Sequence, residues 1–280
     1  MTPQKGRPAR RGERGGLARS PLDFDVGNEE RRISEFIRTR VRGAGAGGVV
    51  VGLSGGIDSS VVATLCAHAL GKGRVLGLMM PSHSTPEEDM ADASRLAERI
   101  GIATAEVRIA NAVDQLNASY ALHAPRLAAA NVQARVRMTI LYLYANAMKR
   151  LVAGTGDRSE LEIGFFTKYG DGGVDLLPIA HLYKTQVRAL GAKLGLSSRI
   201  VAKPSSPQLW PGHRATDEIP VDYGQLDLVL YHLLDKKTPR REIGRLTGVP
   251  ESVVKKVLEM HWSSAHKRSQ PPRLHPPREG

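Results

Sequence analysis

With 280 residues, 41% of them hydrophobic and 24% charged, the chain can bury one sizeable core or two modest ones, and no apolar run approaches the roughly 20 residues a membrane span requires. Its one cysteine, Cys66, excludes an internal disulfide framework and a CxxC redox pair, and its setting in VVATLCAHAL reads as a core position. The net charge of +12 admits nucleic acid as a partner, but much of it lies at the two ends.

Residues 5–19 carry Lys5, Arg7, Arg10, Arg11, Arg14 and Arg19 against Glu13, among several glycines. Such a segment cannot bury enough apolar surface to fold alone, so residues 1–25 read as a flexible basic arm. No apolar stretch follows its charges, which departs from a secretory signal and makes the cytoplasm the expected location. Residues 26–268 read as one domain. Residues 269–280, with paired prolines, read as an irregular tail.

NEERRISEFIRTRVRG places Ile33, Phe36, Ile37 and Val41 at helical spacing and closes at Gly43. The apolar strand GGVVVGL follows, then the helix IDSSVVATLCAHALG, then a second strand, RVLGLMMP, whose Met79 and Met80 read as core filler. STPEEDMADASRLAERIG opens a helix, with Ser84 or Thr85 as cap and Pro86 in the first turn, and ATAEVRIA is a third strand. From about Leu127 to Arg150 the pattern is helical and apolar on more than one face, which predicts burial on several sides. LVAGTG reads as a fourth strand and YKTQVRALGAKLG as a helix ending in glycine. From about residue 217, DYGQLDLVLYHLL, TPRREIGRLTG and PESVVKKVLEMHWSSAHKR read as short helices. The alternation predicts an α/β, Rossmann-like fold: a doubly wound, mostly parallel five-stranded sheet with helices on both faces.

In an open parallel sheet, ligands bind where strands end beside helix N-termini. In GVVVGLSGGIDSS, residues 48–60, Gly55 and Gly56 let backbone amides curl around phosphate oxygens, and Ser54, Ser59 and Ser60 add hydroxyl donors. Asp58 stands where the familiar phosphate loop carries a lysine. An anion beside polyphosphate is repulsive unless a divalent cation lies between them, so the loop predicts Mg-pyrophosphate binding. A second site reads from FFTKYGDGGVD. Phe165, Phe166 and Tyr169 offer flat surfaces for rings, Gly170, Gly172 and Gly173 allow close backbone approach, and Lys168, Asp171 and Asp175 supply polar selectivity.

The string SGGIDSS behind an apolar strand resembles the pyrophosphatase loop of the N-type ATP pyrophosphatases, proteins of the adenine nucleotide alpha-hydrolase-like fold. GTGDRSELEIGFFTKYGDGGVDLLPIAHLYKTQVRAL, residues 154–190, resembles the central block of ammonia-dependent NAD synthetases. NVQARVRM, PSHSTPEED, KPSSPQLWPG, TDE and HKR do so too, in that family's order across roughly residues 30–270. The resemblance implies amidation of deamido-NAD+ by ammonia through an NAD-adenylate, with release of AMP and pyrophosphate. It implies ATP contacts at Gly52, Leu53, Ser54, Gly55, Gly56, Ile57, Asp58, Ser59, Thr155, Lys184 and Ser206. Deamido-NAD+ contacts would fall at Arg135, Lys168, Asp175, His266 and Lys267. Asp58 and Glu160 would hold Mg2+, and with Lys184 would carry the catalysis. Free ammonia is the expected nitrogen source, because the glutamine-using relatives add a domain with a cysteine nucleophile. A homodimer is expected, with the apolar helix 127–150 at its interface and Tyr142 and Tyr144 as positions to test. Membrane and nucleic acid are not expected partners.

The sequence also departs from the family pattern at Asp157, at Gln208 and in GHRATDE, which carries additional residues. The competing readings are a tRNA-modifying ATP pyrophosphatase, favoured by the basic arm, and a non-catalytic nucleotide-binding protein. The missing cysteines count against the first. The Asp58 and Glu160 pair counts against the second.

Overall fold

The computed structural model describes residues 22–120 and 125–274. Most of the basic arm and the end of the tail, residues 275–280, lie outside the described residues. The arm's last residues are docked: Leu22 is buried in an apolar cluster, and its carbonyl accepts from Gln186 Nε2 at 3.0 Å.

Four strands, β1 (Val49–Gly52), β2 (Val75–Met79), β3 (Ala103–Glu106) and β4 (Leu151–Ala153), form one parallel sheet in the order β3-β2-β1-β4. Val49 pairs with both Val75 and Leu151, so the central strand is β1. Alternate side chains of a strand face opposite ways. Val49 and Val51 accordingly pack into a core with helices α1 (Val26–Gly43), α2 (Ile57–Leu70) and α3 (Glu87–Ile100). Val50 and Val152 enter a second core with α4 (Ala110–Ala118) and α5 (Arg126–Ala147). The short α6 (Arg158–Ile163) leaves β4. Next come α7 (Lys184–Lys193) and α8 (Ser198–Ala202), both packed against the α2 face. A third apolar cluster joins α6 to α9 (Tyr223–Leu230), α10 (Arg240–Thr247) and α11 (Glu251–Ser263), and α12 (Ala265–Arg268) follows. No helix among the described residues is long and apolar enough to cross a membrane.

Instead of the five strands expected, the described residues form a four-stranded sheet. Beyond β4 the chain returns alongside it but makes a single parallel bridge, Ala153 to Leu176. The Asp175 carboxylate, rather than a backbone carbonyl, accepts the Val152 N–H at 2.7 Å, and Pro178 has no N–H with which to extend a ladder.

Cys66 is fully buried in the α2 core, and burial pushes its thiol up to about 12. The native protein should therefore resist iodoacetamide at about pH 8 and take up one equivalent only in denaturant. Rapid native labelling, read by mass spectrometry, would contradict this packing.

Candidate active site

The strand order reverses beside β1, since β2 follows it on one side and β4 lies on the other. Crevices form at such switch points, outside the carboxyl ends of the strands. A cavity of about 610 Å³ opens there, lined by the segment after β1, the start of α3, the inner side of α5 and the segment after β4.

Gly56 caps α2 with no side-chain hydrogen bond, leaving the first-turn N–H groups directed at the cavity. Ser54 and Ser59 hydroxyls lie 3.1 Å apart, and Gly56 N donates to Ser54 Oγ at 3.3 Å, so the donors are gathered on one another where a phosphate would take them over. Gly55 has φ +74°, and a Cβ on it would lie 2.2 Å from the Asp89 carbonyl oxygen. Only glycine fits between the loop and α3. Lys203 fastens the same loop, donating to the Gly55 carbonyl at 3.1 Å, to Asp89 at 2.7 Å and to Asp92. Burial pushes Asp92 up, but bonds from Lys203, Arg95 and Arg199 outweigh it and leave the carboxyl at about 2.

Three carboxylates converge behind the loop. The Lys184 ammonium, fully buried, lies 2.7 Å from Asp58 Oδ2, 2.8 Å from Glu160 Oε1 and 2.9 Å from Asp157 Oδ2. Asp58 sits in the first turn of α2, Asp157 caps α6 by accepting Glu160 N at 2.9 Å, and Lys184 opens α7. A buried network places that lysine: Ser159 Oγ accepts from Lys184 N and donates to Asp227, whose other oxygen accepts from Thr185 N at 2.8 Å. Tyr223 Oη lies 3.3 Å from Glu160 Oε1. Three carboxyl groups thus share one ammonium. Burial, reinforced by the neighbouring carboxylates and only partly offset by Lys184, raises both Glu160 and Asp157 above the usual carboxylate range. Burial alone would lower the Lys184 ammonium, but Asp157, Asp58 and Glu160 hold it well above its ordinary value.

Asp58 Oδ1 is buried without a hydrogen-bond partner. With Glu160 it also lines the cavity. Among the described residues no group of three or more His, Cys, Asp or Glu is arranged to hold a metal ion by itself, and a pair of carboxylate oxygens with one orphan suits Mg2+, which keeps waters and substrate phosphates as its other ligands.

Of the contacts implied by the resemblance, Gly52, Leu53, Ser54, Gly56, Ile57, Asp58, Ser59, Thr155, Glu160, Ser206 and Lys267 line this cavity, as do Phe165, Phe166, Gly170 and Asp171 of the second sequence site. Gly55 faces α3 instead. Lys184 lies beneath Asp58 and Glu160 and does not line the cavity. The exposed Arg135 and His266 and the half-buried Lys168 form a group beside it: Arg135 Nη2 reaches the Lys168 carbonyl at 3.5 Å, and Lys168 Nζ the His266 carbonyl at 2.7 Å. Lys267 donates to the carbonyls of Gly164 and Phe166 at 2.7 and 2.9 Å, which docks the tail on the FFTKYGDGG block. Asp175 is engaged by Val152 N and by Tyr142 Oη at 3.0 Å. The departing lip is tied down as well. Gln208 bonds Asp89, Gln133 holds the Leu209 carbonyl at 2.8 Å, and Trp210 stacks on His213 with ring centres 3.4 Å apart.

Sequence reading missed Arg137, Lys203, Tyr223 and Asp227. The first two stand inside the quoted strings NVQARVRM and KPSSPQLWPG, where a cation amid small residues is a usable signal. The other two act through pairings that only the fold creates.

Residues 29–271 match the NAD synthase family. The NH(3)-dependent NAD(+) synthetase of Hyperthermus butylicus is 52% identical over 252 residues, which cover 90% of this chain and 91% of that one. Among solved structures, the NMN synthetase of Francisella tularensis superposes with a TM-score of 0.80 at 33% identity, covering 91% of this chain and all of that one. The NH3-dependent NAD synthetase of Campylobacter jejuni, in complex with the nitrate ion, does so with 0.77 at 28%, covering 90% of this chain and all of that one. Because the match runs from the first helix through the glycine-serine loop to the docked tail, the chain belongs to the NAD synthase family.

Proposed function

We propose that this chain amidates deamido-NAD+ with ammonia to give NAD+, the last step of NAD biosynthesis, while ATP is cleaved to AMP and pyrophosphate. The observation that carries it is the meeting of Asp58 and Glu160 at the mouth of a glycine-serine phosphate loop, in one cavity with Phe165, Phe166 and Thr167.

The nicotinate carboxylate attacks the α phosphorus to form an NAD-adenylate; ammonia then attacks the activated carbonyl and expels AMP. No protein nucleophile takes part. Loop amides and the hydroxyls of Ser54 and Ser59 hold the departing pyrophosphate, so catalysis comes from positioning and from preorganised charge. Asp58 and Glu160 would hold Mg2+, which when bound offsets the charge of the polyphosphate. Lys184, beneath them, fixes their direction rather than reaching the cavity. Thr155 and Ser206 would complete the ATP contacts, and Arg135, Lys168, Asp175, His266 and Lys267 would receive the dinucleotide. The reading includes a cytoplasmic location.

A coupled assay tests this: purified protein with ATP, Mg2+, ammonium and deamido-NAD+, new NAD+ being read by alcohol dehydrogenase. Formation that needs all four components supports the proposal, and silence with them sinks it. The likeness to an NMN synthetase gives a second reading, so nicotinic acid mononucleotide runs in parallel. A larger kcat/KM for the mononucleotide would reassign the substrate while leaving the chemistry unchanged.

The proposal also includes a homodimer through α5. Leu143 is 64% exposed on that helix, an apolar side chain that a second copy would cover. Tyr142 and Tyr144 pack partly against the sheet, which makes Leu143→Glu the cleaner probe than either tyrosine. It should shift sedimentation toward monomer, and an unchanged dimer would move the interface elsewhere.

A further inference from the structure

Arg137, on α5, lines the cavity from the sheet face opposite α2. Its Nε donates to the Met80 carbonyl at 3.2 Å, just past the carboxyl end of β2. A guanidinium carries five N–H donors. The four on Nη1 and Nη2 have no hydrogen-bond or ion-pair partner among the described residues, and Asp171 is its nearest influence, acting only at a distance. Burial lowers the group to about 10, with the Asp171 charge pulling the other way. The other cavity cations are committed: Lys203 to Asp89 and Asp92, and Lys267 to two carbonyls. The side chain is half-buried with its free donors open to the cavity, and its planar fork matches two oxygens of one phosphate.

We infer that Arg137 contacts substrate directly, its Nη1 and Nη2 taking two oxygens of a phosphate on ATP or on the dinucleotide. It meets that phosphate from the side that the loop amides at α2 leave open. The inference rests on the proposed function for the identity of the two nucleotides, and for nothing else.

The test is Arg137→Met and Arg137→Lys, with calorimetric binding of ATP with Mg2+ and of deamido-NAD+ measured separately, so no turnover is needed. Arg137→Met should weaken one nucleotide at least about tenfold and leave the other nearly unchanged, Arg137→Lys should fall between, and the unfolding temperature should not drop. A loss confined to ATP assigns the phosphate to ATP; one confined to deamido-NAD+ assigns it to the dinucleotide. Unchanged binding of both would overturn the inference, as would a loss of both that tracks a lower unfolding temperature, since Arg137 would then only brace Met80. If the parent protein binds both nucleotides but makes no NAD+, the proposed function fails and Arg137 is still tested.

Discussion

Asp58→Asn should lower kcat for NAD+ formation at least about a thousandfold and leave the protein no less stable. The two halves of this expectation have different origins. On the proposed function, activity goes because the orphan oxygen of Asp58, buried at the cavity wall, belongs to one of the two carboxylates that would hold Mg2+. Stability stays because Asp58 is one of three carboxyl groups around a single ammonium, and removing its charge relieves its repulsion with the other two. Glu160→Gln should behave alike, and the double variant should be no slower than either single one, since half of a shared site is worth nothing alone. Steady-state kinetics and thermal unfolding of the three variants decide it; losses that multiply would mean the two carboxylates do separate work.

Lys184→Met should do the opposite, harming fold and activity together. It leaves Asp58, Asp157 and Glu160 in one buried space with no counter-charge, a defect of about 3–5 kcal/mol, or roughly 10 °C in a chain of this size. The penalty should depend on pH with a definite sign. Burial already raises Glu160 and Asp157 in the folded state, so that state holds protons the unfolded chain has released. Stability from such a group is complete below its unfolded pKa and is lost as pH rises through the folded one. Without the ammonium both carboxyls rise further. The deficit should therefore be small near about pH 5 and grow toward about pH 8. Adding Asp157→Asn should recover part of it. A deficit that is flat with pH and indifferent to Asp157 would reduce Lys184 to a packing residue.

The strands, the phosphate loop and its acidic residue were legible because they are local: an apolar run, two glycines and a helix start lie within residues 48–60. The sheet's edge was not. Residues 174–177 fall short of a fifth strand because the Asp175 side chain takes Val152 N from the backbone and Pro178 has no N–H to extend the ladder. Asp157 stood out in the sequence as a departure, yet its meaning needed Lys184, which arrives from another helix. An asparagine could cap α6 equally well, but only a carboxylate also attracts the ammonium. Arg137 and Arg135 share one motif and one helix, and their fates differ because one points into the cavity and the other to the exposed side. Helical spacing says which residues share a face; what that face meets comes from the rest of the chain.

The bond from Lys184 to Asp58 closes a separation of 126 residues, whereas its bond to Glu160 spans 24. Long closures follow short ones, because the chain entropy they consume is repaid only once local elements have formed. The charged knot behind the loop should thus be tied late, after β1 and β2 have paired and α2 has docked. Contacts absent from the transition state leave the folding rate alone and govern the rate of escape. Substitutions among these four side chains should then alter how long a folded molecule survives, and hardly at all how fast one is made. On the proposed function, a substrate complex held by Asp58 and Glu160 would act as a clasp on an already finished fold and prolong its lifetime.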